Sequence, residues 1–319
     1  MHNPLFIGAL FVISETLAYA APVSLMEQLV ARDGYHQGNR ELEVYRSGCV
    51  ERNGADERSW VLTVQSMARG QCVEGDASAG QCTYMSGWID SYGRWSTRDY
   101  PKGMVIIRAS VITPGVANAT GLWPALWMQP NSSPPLDLAR NATHGWPTNG
   151  EIDIAEGWGS HQDKYVTALH YGAGSAAQSS YISTEYGPLN FSLSDANQYA
   201  LAWDFSAPVA HLAWYLKGAK DSAWVRVKEQ TLNSLAPGSK VVDCPELGAW
   251  FARAPASPAR TCYANVFKAG QASGYYLIAN LAVGGTFDGS PERDLAGSQM
   301  KIERVDFYPA ETNPSNTGL

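Results

Sequence analysis

Short apolar runs, rich in aromatic and β-branched residues, recur along the whole chain and are punctuated by Gly, Pro, Asn and Ser. Runs of this length read as strands, and the punctuation reads as turns. The clearest candidates cover residues 60–64, 104–111, 122–128, 151–156, 165–171, 199–205, 210–216, 275–282 and 300–308. Helical periodicity is visible only over 25–32. The Pro- and Ala-rich stretch 245–258 reads as a long loop, and the polar end after Pro309 as a frayed tail. Many short strands with no linker between them predict one all-β domain, a sandwich or a barrel.

Composition narrows this picture. Of 319 residues, 45% are hydrophobic and only 17% charged, with 30 Gly, 16 Tyr and 11 Trp. The chain is too apolar for a disordered segment and too poor in charge for a coiled coil. A net charge of -7 excludes an overall basic character of the kind that binds nucleic acid, so no nucleic-acid partner is expected. Aromatic abundance with few charges suits an uncharged, ring-shaped ligand. No later stretch stays apolar for the roughly 20 residues of a membrane span.

Residues 1–20 read as a secretory signal. An apolar run over 5–12 is followed by Ala18-Tyr19-Ala20, although Glu15 interrupts it and no Lys or Arg precedes it. Without that segment the charge is 23 minus 29, or -6. Sequons at Asn118, Asn131, Asn141 and Asn190 agree with export. The domain then runs over 21–310, with a tail over 311–319. Of five cysteines, Cys72 and Cys82 bracket a Gly-rich segment, and Cys244 and Cys262 bracket a Pro/Ala-rich one. Both pairs could staple loops in an oxidising compartment. Cys49 is left over and could replace either partner of the first pair. No Cys or His spacing fits a zinc site.

The most informative segment is Gly150-Glu151-Ile152-Asp153-Ile154-Ala155-Glu156. On a strand, Glu151 and Asp153 share one face, with Ile152 and Ile154 on the other. Strict alternation would send Glu156 into the core, where an unpaired carboxylate is costly. A β-bulge near Ala155 returns Glu156 to the face of the other two acids. Three carboxylates on one face repel unless a cation or a shared proton relieves them. A metal site, a charged strand edge and glycoside hydrolysis, which needs one ionised and one protonated carboxyl, are all compatible with the local pattern.

Beyond that segment the chain resembles glycoside hydrolase family 16, in the laminarinase-type form with a bulged E-x-D-x-x-E motif. Gly121 to Met128 is similar to the family's G-x-W-P-A-x-W-M strand, and Gly145-Trp146-Pro147 precedes the acids as in many laminarinases. Ala168-Leu169-His170-Tyr171 resembles the T-x-H strand, and Tyr199 to Trp203 the Y-x-x-x-W strand. Tyr276 to Gly285 resembles L-x-L-N-L-A-V-G-G, Lys301 to Tyr308 the closing strand, and Asn39 to Leu42 the early N-N-E-L stretch. The motifs fall in family order over residues 39–308.

The resemblance implies a β-jelly roll (a concanavalin A-like sandwich) of two curved antiparallel sheets, with a concave cleft for a linear neutral polysaccharide. It implies Glu151 as nucleophile, Glu156 as general acid/base and Asp153 as the assisting acid. Trp123, Trp127, Trp146, Trp158 and Trp203 are candidates to stack on sugar rings. His170, Asn39 and Glu41 are candidates for polar sugar contacts, and His170 also for a bond to Asp153. No cofactor is required, a structural calcium on the convex face is a family feature, and a monomer is expected. Two departures stand out. Met104 occupies the place of a sugar-binding Arg, and no W-x-D-E-F-type strand opens the domain before Asn39. The implied activity is retaining endo-hydrolysis of β-1,3- or mixed β-1,3/1,4-glucan. A cell-wall transglycosylase and a non-catalytic glucan-binding protein are the alternatives.

Overall fold

The computed structural model describes residues 19–33, 43–53, 59–66, 84–113, 118–132, 150–172, 179–206, 210–232, 258–284 and 287–310. In chain order its strands begin with β1 (Val23–Ser24), β2 (Val30–Ala31), β3 (Glu43–Tyr45), β4 (Val50–Asn53), β5 (Ser59–Thr63) and β6 (Gln65–Ser66). There follow β7 (Tyr84–Ser86), β8 (Trp88–Asp90), β9 (Lys102–Ile112), β10 (Leu122–Pro130), β11 (Glu151–Trp158) and β12 (His161–Gly172). The remainder are β13 (Ser179–Tyr186), β14 (Asn197–Asp204), β15 (His211–Lys217), β16 (Val225–Thr231), helix α1 (Pro258–Ala272), β17 (Tyr275–Val283) and β18 (Gln299–Pro309).

Two antiparallel sheets carry the fold. One runs β13-β12-β11-β10-β17-β8-β2, and the other β16-β15-β14-β9-β18-β5-β4 with β1 added beside β18. Runs of consecutive strands such as β13-β12-β11-β10 and β16-β15-β14 are joined to strands distant in sequence, β10 to β17 and β9 to β18, which is the crossing pattern of a jelly roll. A small third sheet, β3-β7-β6, has its own hydrogen-bonded ladder and packs on the seven-stranded sheet through Tyr45 and Ser86.

Alternation builds the core. On β17, Tyr275, Leu277, Ala279, Leu281 and Val283 enter the main apolar cluster, while Tyr276 and Ile278 join a second one. On β10, Leu122, Leu126 and Met128 go to the first cluster and Ala125 and Trp127 to the second. The first cluster also takes Val105, Ile107, Leu201, Trp203 and Trp214 from the facing sheet, so it is the layer between the sheets. The second cluster coats the outer face of the seven-stranded sheet, with Tyr45 and Trp88 packed on it.

All nine strands expected from the pattern are present, most of them a residue or two longer. The helix expected over 25–32 is not. That segment is a single 3-10 turn, Met26–Gln28, between the short strands β1 and β2, because its apolar residues pair and pack with strands instead of continuing a spiral. Among the described residues the one α-helix, α1, follows the stretch read as a loop. Pro258 stands at its first position, where a missing N–H costs nothing. Tyr263, Val266, Phe267 and Gly270 form a buried stripe at helical spacing. It stops at Gly274 (φ 71°), whose N–H returns to the Ala269 carbonyl at 2.9 Å. Residues 1–18 of the leader-like segment, Cys72, Cys82 and the tail lie outside the described residues, as do the side chains of Cys244 and Cys262; Cys49 is buried. The last two residues of that segment are described: Tyr19 bridges Ala310, and the Ala20 N–H donates to the Pro309 carbonyl at 3.0 Å.

Candidate active site

The chain enters the acid strand through Gly150, whose φ of 85° suits glycine. A Cβ there would stand 2.6 Å from Val266 Cγ2 of α1, so the helix and the strand can meet only over a glycine. From this point β11 runs beside β10 and β12. Its register with β12 is broken between Asp153 and Glu156, leaving Ile154 and Ala155 opposite the single residue Thr167. Its register with β10 shifts at the same level, between Leu126 and Trp127. The bulge expected near Ala155 is therefore present. Ile152, Ile154 and Ala155 enter the inter-sheet core, and the acids occupy the opposite face.

The three acids sit in different surroundings. Glu151 is half-buried, and its Oε2 accepts from Gln129 Nε2 at 3.2 Å. Gln129 is oriented in turn by the Tyr276 hydroxyl, which donates to its Oε1 at 3.2 Å. Asp153 is 2% exposed and Glu156 7%. Burial pushes the Asp153 carboxyl up to about 8, against the opposing pull of the Lys228 ammonium. Burial likewise holds Glu156 well above the ordinary carboxyl range, and negative charge on Asp153 and Glu151 adds to it. His170 and the Trp123 Nε1–H, which donates to Glu156 Oε1 at 2.8 Å, work in the other direction. The site thus sets two buried acids, both pushed towards their protonated forms, beside a half-buried Glu151 that accepts a hydrogen bond.

His170 stands opposite Glu151 in the ladder, and its Nε2 lies 3.0 Å from Asp153 Oδ2. Donor atoms of Glu151, Asp153 and His170 fall within 4.8 Å of one another. Among the described residues this is the one such group, and it is the acid site itself, where a protonated Asp153 fits a shared proton. No comparable cluster marks a calcium site on the eight-stranded sheet among the described residues.

The aromatic candidates separate into three groups. Trp123 and Trp158 flank Phe287, with ring centroids 4.8 Å apart in both pairs and interplanar angles of 19° and 2°. The stack walls the Glu156 end of the site, and Asp288 anchors its loop by accepting from the N–H groups of Gly121 (3.0 Å) and Ser160 (3.1 Å). Trp127 shares the face of the acids as expected, but is not available to a sugar. It is 4% exposed, lies edge-on to Trp88 at 5.4 Å, and donates to Asn280 Oδ1 at 2.6 Å. Trp203 is a correction outright. It belongs to β14 in the other sheet, is 2% exposed, stacks on Phe307 at 5.8 Å and donates to the Tyr100 carbonyl. Its place in the motif was legible, but which sheet receives the motif was not.

Met104 also falls outside the site, on β9 of the eight-stranded sheet and on the face opposite the core-facing Val105 and Ile107. Trp146, Asn39 and Glu41 lie outside the described residues.

Three residues at the site had no sequence signal. Gln129 is one. Tyr181 is another: it is 61% exposed on β13, pairs with His170 across the ladder, and has its ring 5.5 Å from the imidazole. The third is Lys228, buried behind the acids and pushed down to about 7 by that burial. A polar edge strand with no apolar alternation hides Tyr181, and nothing in Val225–Thr231 marks one lysine as inward.

No family model matches the chain. It is 26% identical over 275 residues to glucan endo-1,3-beta-glucosidase A1 of Niallia circulans, covering 85% of this chain and 32% of that protein. It is 28% identical over 280 residues to a beta-glucanase of Rhodothermus marinus, covering 86% and 76%. A beta-1,3-glucan-binding protein of Penaeus monodon is 30% identical over 172 residues, covering 52% and 39%. The chain therefore spans about a third of the length of the first two of these glucan proteins in one case and three quarters in the other. Among solved structures, the laminarinase catalytic domain of Thermotoga maritima aligns with a TM-score of 0.58 at 24% identity, over 89% of this chain and 92% of that one. SCLam, a non-specific endo-beta-1,3(4)-glucanase from family GH16, aligns at 0.55 and 18%, over 91% and 88%. Two facing sheets in jelly-roll order, with a bulged Glu-x-Asp-x-x-Glu strand at the centre of one, are thus the fold that the chain shares with these solved structures.

Proposed function

We propose that the protein is an endo-acting retaining glycosidase that hydrolyses β-1,3- or mixed β-1,3/1,4-glucan. The observation that carries this is the division of surroundings on one bulged strand: Glu151 is half-buried and accepts a hydrogen bond, while Glu156 is buried with its carboxyl held well above the ordinary range. A retaining mechanism needs such a pair, with the carboxyls roughly 5–5.5 Å apart. Glu151 attacks the anomeric carbon as Glu156 transfers its proton to the departing glycosidic oxygen. Glu156, now a carboxylate, then takes a proton from water as that water displaces Glu151. Asp153 stays protonated between them, next to His170. Trp123 limits how far the Glu156 proton is tightened, because its N–H favours the anion.

Neutral glucan suits the surroundings. The outer face carries half-buried indoles at Trp123 and Trp158 and the exposed ring of Tyr181 on either side of the acids. The likeness to a glucan-binding protein keeps recognition without hydrolysis as the second reading, and both glutamates argue against it. We further propose that the protein is exported, acts as a monomer and needs no cofactor. The leader-like residues 1–20 and the sequons support export; Asn118 and Asn190 are exposed, whereas Asn131 is half-buried and donates to the Ser273 carbonyl.

The test incubates wild type and Glu151→Gln with laminarin, lichenan, agarose and xyloglucan, with and without oligosaccharide acceptors. New reducing ends from the first two, lost in the variant, are expected. Lengthened acceptors would make it a transglycosylase, and binding without products would make it a glucan-recognition protein.

A further inference from the structure

The bulge places Glu156, yet a bulge is a local break in a ladder and needs something to hold it. The structure shows a holder on the other sheet. Trp214 lies on β15, with Leu212 and Leu216 facing the inter-sheet core beside it, and is 1% exposed. Its indole Nε1–H donates to the main-chain carbonyl of Asp153 at 2.8 Å. That carbonyl belongs to the peptide joining Asp153 to Ile154, the first residue of the bulge. The bond therefore leaves its own sheet, crosses the core, and ends at the point where β11 departs from regular pairing.

The indole is itself seated. Lys228 is its partner in the β15–β16 ladder, and the ammonium lies 5.1 Å from the ring centroid. Lys228 is 7% exposed, and its Nζ donates to the Ile182 carbonyl on β13, the edge strand of the facing sheet. Two side chains on neighbouring strands thus tie one sheet to two strands of the other, one tie at the acids and one at the adjacent edge.

We propose that Trp214 is a positioning residue, backed by Lys228, that pins the first peptide of the bulge and so fixes where Glu156 stands relative to Glu151. The inference rests on the glycosidase reading. Neither residue touches the cleft face, so neither is catalytic. Their effect passes through the placement of the general acid.

A residue that places the acid has a signature that a merely structural residue lacks. Proton donation matters most when the leaving group is a poor one, such as a sugar hydroxyl, and least for an aryl oxide that departs unaided. The experiment compares kcat/KM of the full chain on β-1,3-gluco-oligosaccharides with that on an aryl β-glycoside of the same sugars bearing a low-pKa phenol. Trp214→Phe is expected to fall on the order of tenfold to a hundredfold on the first substrate, the range of a small misplacement of a reacting group. On the second it falls by less than about threefold. Lys228→Met moves in the same direction by less. Because Phe leaves a cavity, the sulfur isostere of tryptophan, which keeps the shape and lacks the N–H, is also placed at 214. Circular dichroism and thermal unfolding accompany each variant. The proposal is overturned if the isostere behaves as wild type, or if both substrates lose activity equally. If wild type cleaves neither substrate, the glycosidase reading fails instead.

Discussion

Replacing Asp153 with Asn probes the proton economy of the site without changing its shape. The Asp153 carboxyl titrates near 3.8 when solvated and is pushed up to about 8 in the fold, first by burial. Between those values the folded protein keeps a proton that the unfolded chain releases. Stability from this group is therefore fully present at low pH and declines as pH rises, by about 1.4 kcal/mol per unit. From pH 5 to pH 7 the loss is about 2.7 kcal/mol. For a domain of this size that lowers the melting temperature by roughly 5–11 °C. Asn imitates the neutral carboxyl, does not titrate, and leaves the charge felt by Glu156 unchanged across this range. The window stops at pH 7 because Lys228, pushed down to about 7 by burial, is half deprotonated there and acts with the opposite sign above it. The assay is calorimetric unfolding of wild type and Asp153→Asn at half-unit steps over that window. The variant is expected to gain stability relative to wild type steadily as pH rises, while other carboxylates cancel in the difference. A difference that stays flat, or shrinks, would show Asp153 ionised in the folded state and would refute the reasoning.

Other changes address the neighbours of the acids. Trp123→Phe removes the N–H that stabilises the Glu156 carboxylate, so the basic limb of the kcat/KM profile moves to higher pH by about one unit. Tyr181→Ala strips an exposed ring from the face next to His170, and KM for long glucans should rise about two- to tenfold with kcat unchanged; equal KM values would remove Tyr181 from the binding surface. Gly150→Ala puts a Cβ against Val266 at a φ of 85° and should cost about 1–3 kcal/mol in denaturant unfolding, with α1 and β11 disturbed together.

Much of the site was legible because its chemistry is local. The three acids share six residues of chain, and the expense of burying Glu156 alone requires a bulge between it and Asp153. The nine main strands were legible because burial on one or both faces writes its period into the sequence. What stayed hidden depends on distant partners. Alternation places Trp127 on the face of the acids, but Tyr45 and Trp88, which pack against it there, come from far earlier in the chain. Trp203 carried a motif position without revealing its sheet. Helix α1 was masked by the Pro- and Ala-rich composition before it, and β13 and β16 by their polar, half-exposed edges. Lys228 and Trp214 matter through contacts between sheets, which no spacing within one strand encodes.

Time-resolved proton NMR of laminarin hydrolysis by the wild-type chain tests the division of roles between Glu151 and Glu156 most directly. Two displacements at one carbon restore its configuration, so new reducing ends should form first as the β-anomer and only later mutarotate. The α-anomer forming first would mean that water attacks directly and Glu151 is no nucleophile.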